Sequence, residues 1–148
     1  LAEELTKTEA SAELPAQLQG VAASRLFRAL VFVAAYLVPG AGHLLVRCYW
    51  RSLIFFSLLV GSFFFGLALH AKLFWPASLQ IDFISLLGFL AQVGSGLCYL
   101  LTKAFGFGLD PQPASPTYEY GNTFTMLAGL LNYLVALDAF DIAAGRKR

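Results

Sequence analysis

Charge is what this chain has least of. Only 13% of its 148 residues are Asp, Glu, Lys or Arg, against about 25% in an ordinary soluble domain. Those few charges sit at the edges of long apolar stretches and do not recur every turn, which excludes an amphipathic soluble helical protein. The formal net charge of +1 leaves no basic surface able to neutralise several phosphates, so nucleic acid is not an expected partner. Cysteine is scarce too: Cys48 and Cys98 lie too far apart for a CxxC redox pair or a thiolate metal site, and read as packed apolar side chains.

The two histidines, His43 and His70, are not at the i, i+4 spacing of an HExxH helix, and no nucleophile elbow, Ser-His-Asp set or phosphate-cradling loop can be assembled. Six of the nine acids fall in the first twenty residues or near the C-terminal end. An enzyme is therefore not expected, and neither is a metal site.

What the chain has is apolar residues, 58% of the total, with a mean hydropathy of +0.68. Residues 1–21 form a polar leader without the apolar region of a signal peptide. Residues 22–148 hold four apolar runs, at about 26–46, 52–75, 81–101 and 122–140, each near the length of a bilayer crossing. The expectation is an all-α integral membrane four-helix bundle. Its first helix should be kinked or broken at Pro39-Gly40, since Pro39 lacks a donor and disfavours helix at Val38.

Small residues mark the expected packing faces: Ser57, Gly61 and Gly66 in the second run, Gly88 and Gly94 in the third, Gly129 in the fourth. Gln92 and Asn132 are expected to bond between helices, because an unpaired amide in hydrocarbon costs several kcal/mol. Arg47, Trp50, Arg51 and Trp75 read as interfacial anchors, and Pro111, Pro113 and Pro116 as an extended loop.

Basic residues near the spans give an orientation. With four spans, Arg25, Arg28, Lys72, Arg146, Lys147 and Arg148 face the cytoplasm, against Arg47, Arg51 and Lys103 outside. If the first run re-enters, the division becomes five against four. Both termini are expected in the cytoplasm, and the membrane is expected to be a bacterial inner membrane.

His43 follows the break in the first run. It reads either as the group that bonds a carbonyl freed by Pro39 or as a contact for a chlorophyll-type pigment or haem. His70 shares the pigment reading and otherwise reaches the interface beside Lys72. Asp138 and Asp141 are expected to pair locally with Arg146-Lys147-Arg148, and Glu119 to be a solvated loop acid.

The stretches LVPGAGHLLVRCYWRSLIFF and YEYGNTFTMLAGLLNYLVALDAFDIAAGRK resemble a family of small, uncharacterised bacterial multipass membrane proteins. These share a PGxGH turn and a last helix opening on YE-x-G-x-TF and closing on D-A-[FY]-D. The first stretch is distantly similar to the two-helix transmembrane domain family. Neither resemblance implies catalytic residues. The sequence thus points to a non-enzymatic accessory subunit of a larger membrane complex, photosynthetic or respiratory, in contact with other membrane subunits, lipid or pigment. The alternative is a free-standing small transporter or lipid-handling protein using Asn132, Gln92 and His43.

Overall fold

The computed structural model describes the backbone of residues 16–75, 83–106 and 111–146, with side chains from Ser24 onward. The expected leader before Ala16, the start of the third run at Ile81 and Asp82, and the terminal Lys147 and Arg148 lie outside the described residues. The helices are α1 (Ala16–Leu37), α2 (Ala41–Leu45), α3 (Tyr49–Ala68), α4 (Phe83–Val93), α5 (Leu97–Phe105) and α6 (Tyr118–Ala143). No strand occurs among the described residues. By length and composition α3 and α6 can each cross a membrane, and α4 with α5 makes a third candidate if that bent pair counts as one span.

Helices α1 to α4 all pack on α6, which at 26 residues is about 39 Å long. Its buried positions Gly121, Asn122, Thr125, Ala128, Gly129, Asn132, Val135, Ala136 and Ala139 recur at three- and four-residue spacing, so they form one stripe of small and polar side chains. Small size lets backbones touch. A Cβ on Gly66 would lie 2.7 Å from the Gly121 carbonyl oxygen, and one on Gly129 would strike the Ala91 carbonyl.

The first apolar run is not one helix. Helix α1 stops at Leu37, just before Pro39, and Gly40 turns the chain through φ +83°, a conformation that favours glycine. α1 runs antiparallel to α6, with Phe32 edge-on to Phe140 and Tyr36 against Tyr133. α2 then comes back along α1, because Gly42 lies between Ala35 and Ala139, where a Cβ would be 2.5 and 2.9 Å from theirs. Residues 26–46 therefore form a helical hairpin, not the single crossing expected from their length. Val31, Ala35, Ala136 and Ala139 make its core.

Both α2 and α3 close with paired backbone bonds of the Schellman type. Cys48 N donates to the His43 carbonyl and Arg47 N to that of Leu44, while Ala71 N donates to the Gly66 carbonyl and His70 N to that of Leu67. The left-handed position that usually holds glycine is Arg47 in one case (φ 62°) and His70 in the other (φ 64°). A side chain there costs about 1–2 kcal/mol.

Helix α3 starts at Tyr49 and ends at Ala68, so the expected helix over 52–75 is displaced toward its N-terminus, and residues 71–75 are extended. The third run breaks as well: α4 and α5 meet at 109° across Gly94–Gly96. α5 folds back, setting Tyr99 against Phe89 with ring centroids 6.0 Å apart and Lys103 over the Trp75 ring. Phe63, Leu67, Tyr99 and Ala128 form the core of this half.

Candidate functional site

Three stretches of backbone leave regular structure inside the protein: Val38–Gly40, Ala71–Trp75 and Gly94–Gly96. Each frees carbonyls and amides that hydrocarbon cannot satisfy. Side chains from other elements bond them. Ser52 Oγ donates to the Gly40 carbonyl at 2.8 Å. Asn132 Nδ2 donates to the carbonyls of both Tyr36 and Gly94, each at 2.9 Å, and Tyr36 Oη donates to that of Val93.

The extended segment is held in the same way. Gln92 Nε2 donates to the Lys72 carbonyl (2.8 Å) and to Thr125 Oγ1 (2.9 Å), while its Oε1 accepts from Phe74 N (2.9 Å). Asn122 Oδ1 accepts from Lys72 N (2.8 Å), and Tyr99 Oη donates to the Phe74 carbonyl. Helix α6 itself begins four residues before Asn122, at Tyr118.

The tips of the two folded-back pairs touch. Gly96 sits against the Tyr36 and Leu37 carbonyls so closely that a Cβ would collide with them. Asn132 binds both tips. By helical rise it lies roughly 21 Å from the start of α6 and roughly 17 Å from its end.

His43 does not repair the break after Pro39. Its Nε2 lies 3.2 Å from Asp138 Oδ2, and its ring is tilted against Phe55 at 5.0 Å. Nδ1 finds no hydrogen-bond partner among the described residues. His43 has no exposed surface, whereas the Asp138 side chain is 27% exposed. It borders an open groove of about 440 Å³ lined also by Phe55, Leu131, Leu134, Leu137 and Asp141. Asp141 alone of the two acids pairs with Arg146, at 3.2 Å.

Residues 30–148 match the model of a family of unknown function, DUF6677. The chain belongs to that family. No curated protein and no solved structure matches it. Every bond that closes a break lies within the DUF6677 region.

Within that region the expected packing residues divide. Gly66, Gly88, Gly94 and Gly129 are buried, with Gly88 beside Phe74 and Met126 and Gly94 beside Gly129 and Tyr133. Ser57 and Gly61 are exposed instead, and nothing lies within 4 Å of a Cβ built on Gly61. Arg47, Trp50, Arg51 and Trp75 are exposed.

The two histidines are not brought together. His70 is exposed at the end of α3 near Gly121, while His43 pairs with Asp138 near the other end of α6. Among the described residues no group of three or more His, Cys, Asp or Glu is placed to hold a metal. The pair joins a sealed imidazole to a carboxylate that opens onto the groove.

Sequence reasoning missed Ser52, Tyr36 and Tyr99, which bond the breaks, and the pairing of Asp138 with His43. A hydroxyl or phenol inside an apolar run is itself a signal, because such a group must find a carbonyl.

Proposed function

We propose that this DUF6677 chain is a non-enzymatic integral membrane protein serving as an accessory subunit of a larger membrane assembly. In this reading α3 and α6 cross the bilayer, α1–α2 enters from one side and α4–α5 from the other, and the hairpin tips meet at Asn132. The four-helix bundle becomes two crossings and two re-entrant pairs. The charge distribution supports it. Arg25, Arg28, Arg47, Arg51 and Arg146 belong to the end where α6 finishes, and Lys72 and Lys103 to the other, so the basic end faces the cytoplasm. That is a sharper asymmetry than straight crossings give.

The observation that carries the accessory role is where the polar groups go. Gln92, Asn122 and Asn132 bond the chain's own broken backbone, with Thr125 accepting from Gln92, and an outer surface rich in exposed Leu and Phe surrounds them. An exposed Ser57-Gly61 ridge on α3 offers close approach to another helix. Native purification from a bacterial inner membrane with mass spectrometry of co-purifying subunits tests this. A respiratory or photosynthetic host is the expected partner; a stable particle holding this chain alone overturns the proposal.

A second reading, a small transporter, has one observation in its favour: the His43–Asp138 pair beside its groove. Asp138→Asn abolishing a proton-coupled flux in vesicles, with assembly intact, would favour it.

A further inference from the structure

We propose that the turn from α2 into α3 is a binding site for an anionic phospholipid. Two cavities meet there. One is an apolar groove of about 380 Å³ between the first break and α3, lined by Val38, Pro39, Ala41, Leu44, Leu53 and Phe56. The other is a shallow basic pocket of about 580 Å³ formed by the stretch Arg47 to Arg51. Tyr49 lines both, so the apolar and the basic parts form one continuous amphiphilic surface.

The direction of that surface matches a lipid. Val38 and Pro39 adjoin the hairpin tip held by Asn132, deep along α6, whereas Arg47 and Arg51 flank the start of α3. A headgroup between the arginines therefore sends its acyl chain along the groove toward the middle of the protein. Trp50 and Tyr49 supply the amphipathic rings suited to headgroup depth.

Charge selects the headgroup. Arg47 and Arg51 are both lining residues of the pocket, and guanidinium donors suit a phosphate, while the acids at this end of α6 face His43 and Arg146. Arg47 adds a second sign: it occupies a left-handed position that glycine would hold without strain. A side chain kept at such a position, in a lined pocket, points to use.

The inference rests on the membrane reading above, and the test separates the two. The full chain is exchanged from vesicles of phosphatidylglycerol and phosphatidylcholine in equal parts into detergent, and retained lipid is weighed by native mass spectrometry. Wild type is expected to retain phosphatidylglycerol preferentially. Arg47→Gly, which keeps the backbone turn, and Arg51→Gln, on the exposed side of α3, should each reduce that preference by about fivefold.

Leu44→Trp, which fills the groove, should reduce retention of both lipids. Equal retention by wild type, an unchanged preference in the Arg47→Gly/Arg51→Gln double variant, or displacement of the lipid by an equal concentration of inorganic phosphate overturns the site. A chain that stays in solution without detergent overturns the membrane reading instead.

Discussion

The side-chain amide of Asn132 donates to the carbonyl of Tyr36, 96 positions away, and through its second hydrogen to that of Gly94. One side chain thereby ties the first break to the third. Asn132→Leu leaves two buried carbonyls unpaired, at about 1–3 kcal/mol each. We expect a loss of roughly 2–5 kcal/mol, read as a lowered unfolding midpoint in mixed micelles; a shift under a few tenths of a kcal/mol would show that Asn132 does not hold the tips.

Gln92 makes a local version of the same tie. In Gln92→Leu the Phe74 amide loses its acceptor, so its hydrogen exchange should accelerate by about tenfold or more while amides in the middle of α6 stay protected. Uniform exchange across both segments would contradict a role confined to residues 72–74.

Glycines 129 and 61 should respond in opposite ways. Gly129→Ala drives a methyl into the Ala91 carbonyl and is expected to cost about 2 kcal/mol or more through displaced helices. Gly61→Ala meets open space and should be neutral or gain up to about 1 kcal/mol from helix propensity. Thermal unfolding of the two purified variants decides it.

His43 and Asp138 should be energetically coupled. A double-mutant cycle with His43→Gln and Asp138→Asn is expected to give a coupling of about 0.5–3 kcal/mol. Additive effects would mean that the 3.2 Å approach contributes nothing to stability.

Labelling should reveal the sidedness. In a chain with Cys48 and Cys98 changed to Ala, single cysteines replacing Trp50 and Arg146 are expected to react with an impermeant maleimide from the same face of sealed vesicles, and one replacing Lys72 from the opposite face. Reaction of the Trp50 and Lys72 sites from one face would rule out α3 as a crossing.

Much of this architecture is written in local chemistry. Pro39 and Gly40 mark where α1 stops because one lacks a donor and the other turns left-handed freely. The small residues of α6 mark a close-packing face by their spacing. What spacing cannot give is a partner. The return of α2 along α1, the 109° turn after Val93 and the approach of Asp138 to His43 depend on contacts between residues far apart in sequence.

Periodicity identifies the face of a helix and leaves open what it meets. Ser57 and Gly61 illustrate the limit, since they share the composition of a packing stripe yet lie on the outer side of α3. Gln92 and Asn132 show the complementary case. Polarity in an apolar run signals an obligatory hydrogen bond, but that they bond broken backbone becomes visible only once the breaks are seen.

The helix on which α1 to α4 rest is made after all of them. Asn132, Gly129 and Ala139 leave the exit tunnel after both hairpins, so neither tip has its tie while the earlier residues are being inserted. Until α6 arrives the Tyr36 and Gly94 carbonyls lack their Asn132 donor, so the bonds that join the two tips form only after residue 132 has been made.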